Sequence, residues 1–171
     1  VKWGALVEAD ILDTDTLIAT IRQHRIAAII HFAASAYVGD SVDEPTNYYR
    51  NNVEGTRSVL DACRVSGIDK LVFSSSCATY GVPEQLPISE DTPQAPINPY
   101  GRTKLIGEWM AADCERAFGL KTVALRYFNA CGADPEGEIG EWHEPETHLI
   151  PRALLAAYGT ASHMDLFGTD Y

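Results

Sequence analysis

Hydrophobic positions along this chain form two kinds of pattern that alternate from one end to the other. Short continuous apolar runs are typical of strands, and apolar residues spaced three and four apart indicate helices that pack by one face. The runs predict strands at residues 5–11, 27–32, 70–74, 122–126 and 163–167. The spaced positions predict helices at residues 14–24, 46–66, 100–118 and 151–158. Strands that alternate with helices favour an α/β fold with a parallel, doubly wound sheet and right-handed crossovers.

The ends of the predicted helices carry residue types that helix ends favour. Asp13 stands where an N-cap is expected, and Gly67 and Gly119 follow two of the later helices. Residues 27–32 form a short apolar run in which His31 is the one polar residue. We therefore expect a strand that is buried on both faces.

The stretch from Phe73 to Lys104 holds the strongest candidate chemistry. A serine run follows a predicted strand, a proline-rich loop comes next, and Tyr100 and Lys104 then lie four apart on a predicted helix. Residues four apart share one face of a helix, so the phenol and the ammonium should point the same way. A neighbouring cation favours the phenolate, and lowering its pKa by about 3 units takes roughly 4 kcal/mol. We therefore expect Lys104 to make Tyr100 a base, with the Ser76 hydroxyl on the same substrate oxygen.

A tyrosine and a lysine at this spacing are common on helices, so the pair alone is a weak signal. The serine run, the loop and the pair occur here in that order after alternating strands and helices. Together they indicate removal of a proton from an alcohol, such as a sugar or steroid hydroxyl, while hydride leaves the same carbon.

Further segments extend this pattern over essentially the whole chain. They are His31-Phe-Ala-Ala34, Tyr49-Arg-Asn-Asn-Val-Glu-Gly-Thr56, Phe73-Ser-Ser-Ser-Cys-Ala-Thr-Tyr-Gly81, Asn98-Pro-Tyr-Gly-Arg-Thr-Lys104, Leu125-Arg-Tyr-Phe-Asn129, Gly140-Glu-Trp-His-Glu-Pro-Glu-Thr-His-Leu-Ile-Pro151 and Phe167-Gly-Thr-Asp-Tyr171. By these segments the chain resembles the extended short-chain dehydrogenase/reductase superfamily, in its NAD-dependent epimerase/dehydratase family. Within that family it is most similar to the UDP-hexose 4-epimerases.

The resemblance implies a partial Rossmann-like domain at residues 1–126 and the start of a smaller sugar-nucleotide-binding lobe at 127–171. A dinucleotide-binding fold normally opens with a glycine fingerprint. None of the 13 glycines forms Gly-x-x-Gly-x-x-Gly or Gly-x-Gly-x-x-Gly. Because the family places that motif before residue 5, we expect an internal fragment, inactive by itself, without the first βαβ unit and the C-terminal part.

The resemblance also implies roles for individual residues. The expected catalytic residues are Ser76 on the sugar 4-hydroxyl, Tyr100 as the base, and Lys104 on the nicotinamide ribose. The residues expected to contact NAD are Asp10, Ile11, Phe32, Ala33, Ala34, Ala36, Asn51, Ser74, Tyr100, Lys104 and Tyr127. The residues expected to contact a UDP-sugar are Ser76, Tyr100, Asn129, His148, Leu149 and Phe167.

Two of these positions leave an alternative open. Asp10 is expected at the adenine; the alternative is an ordinary carboxylate at a strand end, and the surrounding pattern favours the adenine contact. Ala36 stands where many relatives carry a lysine, so one cationic contact to the cofactor is absent here.

The residues after Ser76 distinguish between the reactions of the family. Its dehydratases usually carry an Asp-Glu pair where this chain has Cys77-Ala78. Without those carboxylates water elimination lacks an acid and a base, so we expect 4-epimerisation of UDP-glucose and UDP-galactose. The alternatives are 4-epimerisation of UDP-arabinose or UDP-glucuronate and, in a different class, a non-catalytic interaction domain.

Charge and composition limit the kinds of partner that this chain is expected to bind. The net charge of −11 argues against a nucleic-acid surface, and no apolar run is long enough to span a membrane. The four cysteines show no Cys-x-x-Cys spacing, which favours free thiols and a cytoplasmic protein. His143 and His148 are five apart around a proline, unlike a zinc-binding helical pair, so we expect no metal. By resemblance, the helices from Thr46 and Tyr100 should form a homodimer interface.

Overall fold

The computed structural model describes residues 4–144 and 146–166. The chain divides into two compact units, Val1–Tyr127 and Phe128–Tyr171. The first unit contains, in chain order, α1 (Thr14–His24), β1 (Ile29–His31), α2 (Val38–Asp43), α3 (Pro45–Tyr48), a π-helical turn (Tyr49–Glu54), α4 (Gly55–Ser66), β2 (Lys70–Ser76), a 3₁₀ turn (Cys77–Thr79), α5 (Pro99–Phe118) and β3 (Lys121–Tyr127). The second unit contains α6 (Leu149–Ala157).

The strands form one parallel sheet in the order β1-β2-β3. Ile30 of β1 pairs with Val72 of β2, and Ser76 at the end of β2 pairs with Tyr127 at the end of β3. The α/β class with a parallel sheet is therefore confirmed. Because the strands are parallel, their carboxyl ends share one edge, where such sheets bind ligands.

The hydrophobic core lies where α1 and α4 meet the start of β2. It comprises Ile21, Val59, Leu60, Ala62, Cys63, Ile68, Leu71 and Leu120. Each fully buried valine, leucine or isoleucine side chain contributes about 1.5–3 kcal/mol. Leu17 and Ile18 of α1 pack against the cluster as partly buried residues.

Two glycines of α5 allow that helix to lie against β2 and the turn that follows it. A Cβ at Gly107 would lie 2.5 Å from Cζ of Phe73, and a Cβ at Gly101 would lie 2.5 Å from the carbonyl oxygen of Ala78. Either substitution would push the helix away from the strand end. The close approach brings Tyr100 and Lys104 to the carboxyl end of β2.

Capping residues place the helix ends as the sequence predicts. Asp13 caps α1, and its side chain accepts from the backbone N–H of Thr16. Gly67 and Gly119 follow α4 and α5 in the left-handed conformation that glycine adopts without strain. α1 spans the predicted range, and α5 begins one residue earlier than predicted.

The predicted strand at 5–11 is wrong. Residues 5–10 are irregular and have no ladder partner among the described residues, and Leu6 is 78% exposed. The prediction of a strand at 27–32 buried on both faces is also wrong. β1 is only three residues long, and Ile30 is 60% exposed in a row with Val72 and the exposed Val123.

Other boundaries differ more modestly. The predicted helix at 46–66 is a helical path interrupted by the π-helical turn, and α2 lies where a loop was predicted. β2 and β3 each extend past the predicted end, and α6 begins and ends earlier than predicted. Residues 163–166 form no strand, and Phe167 lies outside the described residues. Within the described ranges, no helix has the length and apolar character needed to cross a membrane.

Candidate active site

The start of α5 positions the two candidate catalytic side chains of that helix. Asn98 caps the helix, its side-chain oxygen accepting from the N–H of Gly101 at 2.7 Å. Pro99 is the first helical residue, a position where the missing N–H costs nothing. Tyr100 and Lys104 follow one turn apart, and the phenol lies close enough to Ser76 of β2 for the serine side chain to lower the pKa of the phenol. The structure thus brings Ser76, Tyr100 and Lys104 together, as the sequence predicts.

Lys104 is held at the end of β2. Its Nζ donates to the carbonyl oxygen of Ser74 at 2.8 Å and lies 5.7 Å from the centroid of the Tyr100 ring. The ammonium also lies 5.5 Å from the centroid of the Phe73 ring. Burial lowers the pKa of Lys104 to about 8.

The pKa of Tyr100 is not lowered as the sequence led us to expect. Burial raises the pKa of Tyr100, the hydrogen bond with Ser76 lowers it, and Cys77 raises it further. The net direction is upward. The Lys104 ammonium is bound to the Ser74 carbonyl oxygen rather than to the phenol, so in the protein alone it does not offset the cost of burial.

The Ser76 side chain is fixed by the turn that follows it. Its Oγ accepts from the backbone N–H of Ala78 at 3.1 Å, and its carbonyl oxygen accepts from the Thr79 hydroxyl at 2.9 Å. Ser76 is buried, and its Oγ retains an O–H to donate. This hydroxyl can therefore hold an oxygen that the Tyr100 phenol also reaches.

Asn52 lies at the site although it is not among the residues predicted from the sequence. It lies in the π-helical turn and is buried, accepting from the N–H of Ser35 at 2.8 Å. Its Nδ2 donates to the carbonyl oxygen of Ser35 at 3.0 Å and to the Thr103 hydroxyl at 3.1 Å. The Thr103 hydroxyl donates in turn to the Tyr100 carbonyl oxygen at 2.7 Å. Asn52 therefore joins the loop after β1 to the catalytic helix.

A sequence signal for Asn52 exists. Two adjacent asparagines inside a predicted helix are unfavourable unless their amides have partners, and π-helical turns often mark functional sites. Asn51 has its partner in the same loop, since its Nδ2 lies 3.2 Å from the Ser35 hydroxyl. Both asparagines thus bind the segment that follows β1.

His31 supports the same region from within the sheet. Its Nε2 lies 3.1 Å from the Thr56 hydroxyl, and its ring lies 5.6 Å from that of Phe73. Burial, followed by the charge of Lys104, lowers the pKa of His31 to about 4. His31 is therefore neutral at pH 7 and lies close enough to Lys104 to be affected by its charge.

The residues after β1 leave an open surface at the carboxyl edge of the sheet. Phe32 is 64% exposed, Ala33 and Ala36 are exposed, and Ala34 is half-buried. Tyr127 lies across the same edge, paired with Ser76. Small and exposed side chains here allow a ligand to approach the backbone.

Asp10 and Ile11 lie in the irregular segment before α1. The Asp10 carboxylate accepts from the N–H of Leu12 at 2.9 Å, as in a local turn. The Ile11 side chain packs against Gly55, where an added Cβ would lie 2.9 Å from its Cγ2. The carboxylate of Asp10 remains exposed and available to a ligand.

The other predicted substrate residues lie in the second unit. Asn129, His148 and Leu149 are exposed, and Phe167 lies outside the described residues. His148 precedes α6, and its backbone N–H donates to Glu146 at 2.7 Å. This unit has a cleft of about 690 Å³ that runs between the segment around His143 and the apolar side chains of α6.

The histidines of this unit approach each other more closely than their spacing in the sequence indicates, with the ring centroids of His143 and His148 4.6 Å apart. Glu141, His143, Glu146 and His148 place one ligand atom each within 4.8 Å of one another. Hydrogen bonds and ion pairs among them, such as the 2.9 Å contact between Glu146 and Nδ1 of His148, use the same atoms. Such groups are common without an ion, so the absence of a metal stays a prediction.

A serine at a strand end thus lies beside a tyrosine and a lysine that are one helical turn apart, at the carboxyl edge of a parallel sheet. The chain belongs to the NAD dependent epimerase/dehydratase family, whose model matches residues 2–169.

Curated relatives that match this chain are named UDP-glucose 4-epimerase. A UDP-glucose 4-epimerase of Rhizobium meliloti is 54% identical over all of this chain and 52% of its own length. One of Halalkalibacterium halodurans is 51% identical over 95% of this chain and 48% of its own. The chain thus spans about half the length of the curated relatives it matches.

Solved structures that resemble this chain are also named UDP-glucose 4-epimerase. UDP-glucose 4-epimerase from Brucella ovis, solved with NAD, is 61% identical over 99% of this chain and 52% of that one, with a TM-score of 0.93. The enzyme from Stenotrophomonas maltophila, solved with NAD and formylated UDP-arabinopyranose, is 38% identical over 96% of this chain and 50% of that one, with a TM-score of 0.90.

Proposed function

We propose that this protein carries out the NAD-dependent 4-epimerisation of a UDP-hexose, interconverting UDP-glucose and UDP-galactose. The observation that carries the proposal is the meeting of Ser76, Tyr100 and Lys104 at the carboxyl end of β2. The names of the relatives that share this half of their sequence support the same activity.

The geometry of the protein supports a place for NAD. Lys104 is buried, and among the described residues its ammonium has one hydrogen-bond acceptor, the Ser74 carbonyl. An ammonium has three N–H donors, so two remain for hydroxyl groups such as those of a ribose. Phe32, Ala33 and Ala34 follow β1, the strand next to β2, and are exposed or half-buried. These residues, with Asn51 and Tyr127 nearby, would hold the nicotinamide end, and Asp10 with Ile11 the adenine end.

The chain's own residues handle the proton of the reaction. When bound, NAD supplies the acceptor and donor of hydride at sugar carbon 4. Tyr100 removes the proton of the 4-hydroxyl, and Ser76 hydrogen-bonds the same oxygen. After the 4-keto sugar turns over, Tyr100 returns the proton. The Lys104 ammonium, 5.7 Å from the centroid of the Tyr100 ring, would favour the phenolate as a nearby positive charge, although in the protein alone it does not offset the burial that raises the pKa of Tyr100.

The second unit contributes the sugar-nucleotide contacts in this proposal. Asn129 and His148 are exposed polar side chains suited to a diphosphate, and Leu149 and Phe167 supply apolar contacts for the base. Residues 1–126 then act as the NAD-binding part and 127–171 as the start of the substrate lobe. Exposed apolar residues on α4 and α5, including Val65 and Trp109, are consistent with a homodimer through those helices.

Epimerisation is favoured over dehydration by the residues after Ser76. Cys77 and Ala78 form the 3₁₀ turn and offer no carboxylate to remove a proton or protonate a leaving hydroxyl. A second candidate substrate is a UDP-pentose, because the Stenotrophomonas maltophila enzyme was solved with formylated UDP-arabinopyranose.

A hybrid enzyme tests the proposal. These 171 residues replace the matching half of the Rhizobium meliloti relative, which supplies the rest of its own length. We expect the hybrid to convert UDP-galactose to UDP-glucose, as followed by chromatography. A hybrid that folds and binds NAD but makes no UDP-glucose, or makes a 4-keto-6-deoxy sugar, would contradict the proposal. The 171 residues alone contain no glycine fingerprint and should bind NAD weakly.

A further inference from the structure

Glu108 lies one turn beyond Lys104 on the same face of α5, and its carboxylate is the centre of a polar network. The Ser75 hydroxyl donates to one carboxylate oxygen. The side-chain amide of Gln94 donates to the other at 3.0 Å. Lys104 and Glu108, four residues apart, thus contact Ser74 and Ser75 at the end of β2, and Tyr100, one turn before Lys104, lies near Ser76.

Arg126 of β3 closes the network with a two-pronged ion pair. Its Nε lies 3.0 Å from one oxygen of Glu108, and its Nη2 lies 2.8 Å from the other. The Glu108 side chain is 10% exposed and that of Arg126 is 23% exposed. Two parallel hydrogen bonds between a guanidinium and a carboxylate fix orientation as well as distance.

The remaining face of the guanidinium reaches the loop between β2 and α5. Nη1 of Arg126 donates to the Tyr80 hydroxyl at 2.7 Å and to the Glu90 carbonyl oxygen at 3.0 Å. Its guanidinium carbon lies 5.0 Å from the centroid of the Tyr80 ring. With Gln94 on the carboxylate, the pair contacts the loop near its beginning, middle and end.

Both members of the pair are charged. Burial raises the pKa of Glu108, but hydrogen bonds from Arg126, Ser75 and Gln94 outweigh burial, and the pKa lies below its usual value. The hydrogen bond with Glu108 raises the pKa of Arg126. Breaking one partner would leave a poorly solvated charge, which is far more costly than losing a surface ion pair.

We propose that Glu108 and Arg126 are positioning residues that set the distance between Ser76 and Tyr100. This inference rests on the proposed function. Ser76 and Tyr80 lie at the start of the loop, and Tyr100 lies just beyond its end. Glu108 holds the strand through Ser75 and the helix through its own backbone, and Arg126 holds the loop. The pair therefore fixes the gap in which the sugar hydroxyl must lie between two hydroxyl groups.

The test uses Glu108→Gln and Arg126→Lys in the hybrid enzyme. Both variants keep side-chain length and polarity but lose the charged two-pronged pairing. We expect kcat per NAD-loaded site to fall about 10- to 100-fold, because a shift on the order of 1 Å at a reacting group has that effect. Arg116→Lys is the matched control, since Arg116 pairs with Asp113 on the exposed face of the same helix and should leave kcat unchanged.

Ser75→Ala is a second variant that should disturb folding less. It removes the strand-to-helix hydrogen bond and leaves the ion pair intact, so kcat per loaded site should fall less than in Glu108→Gln.

The pH profile gives a readout that a merely structural role would not move. Within the described part of the chain, the charged and titratable groups facing Tyr100 are Lys104, Cys77 and Tyr48, and none of them is substituted. Since the Ser76 hydrogen bond favours the phenolate, loosening it should move the acidic limb of the kcat profile to higher pH in Glu108→Gln.

An unchanged kcat per loaded site and an unmoved acidic limb, with only the NAD-loaded fraction reduced, would overturn the inference. That result would assign the pair to stability alone. The unsubstituted hybrid separates this outcome from failure of the proposed function, because its own lack of turnover would contradict the function and not the positioning role.

Discussion

The Lys104 ammonium donates to the Ser74 carbonyl oxygen across 2.8 Å, although the lysine is only 5% exposed. This contact joins the catalytic helix to the strand that carries Ser76. It also places a buried cation whose pKa is lowered to about 8 at the edge where a nicotinamide ribose would bind. The charge of Lys104 should therefore change within an accessible pH range.

NAD affinity of the hybrid should fall as pH rises through about 8. Below that pH Lys104 is protonated and offers two further N–H donors, whereas above it the charge and one donor are lost. Calorimetric titration with NAD across this range measures the effect. The Lys104→Met variant should bind NAD more weakly, and its NAD affinity should no longer fall as pH rises through about 8. A fall of the same size in that variant would show that another group titrates.

Tyr100→Phe should lower turnover by orders of magnitude with little loss of UDP-sugar binding. The substitution removes the phenolic oxygen that takes the proton and leaves the ring, which contributes packing. Steady-state kinetics gives kcat, and calorimetry gives the affinity for UDP-sugar. Near wild-type turnover in this variant would rule out Tyr100 as the base.

Ser76→Ala should lower kcat less than Tyr100→Phe does, because water or Tyr100 can take over part of the proton handling by Ser76. The Ser76 hydrogen bond lowers the pKa of Tyr100, so its loss should raise that pKa. The acidic limb of the kcat profile should then move to higher pH, and part of the activity should return in more alkaline buffer. A uniform loss at every pH would show that Ser76 does not affect the tyrosine.

His31 should make the folded state sensitive to acid. Its pKa is lowered from 6.5 to about 4, so the unfolded chain binds a proton first as pH falls. Stability should therefore be lost between these values, by up to about 3 kcal/mol. Urea unfolding of the hybrid at several pH values measures this loss. His31→Gln should weaken the dependence of the unfolding free energy on pH, whereas His24→Gln, at an exposed position of α1, should leave it unchanged. Equal dependence on pH in the unsubstituted hybrid and both variants would contradict this role of His31.

Local signals account for what the sequence predicted well. The α1 helix occupies its predicted range because Asp13 caps it and Arg25 ends it in the left-handed conformation. The α5 helix follows from Asn98, Pro99 and Gly119, which act within one turn of its ends. Tyr100 and Lys104 meet because helical spacing is fixed.

Non-local contacts account for what the sequence did not predict. Residues 5–10 have strand-like residues, but a strand also needs a partner, and hydropathy does not show which segments pair. The pairing of Glu108 with Arg126 depends on where α5 crosses β3, and Asn52 depends on the position of Ser35. The rise in the pKa of Tyr100 follows from burial, which residue spacing cannot reveal.

The hydrogen at sugar carbon 4 reports whether hydride leaves and returns within one active site. UDP-galactose carrying deuterium at that carbon is given to the hybrid, and the UDP-glucose product is analysed by mass spectrometry and NMR. The account predicts that deuterium remains at carbon 4 in the product, because hydride leaves and returns within one active site while Tyr100 exchanges only the hydroxyl proton. Loss of the deuterium to solvent, or a product still in the galactose configuration, would contradict it.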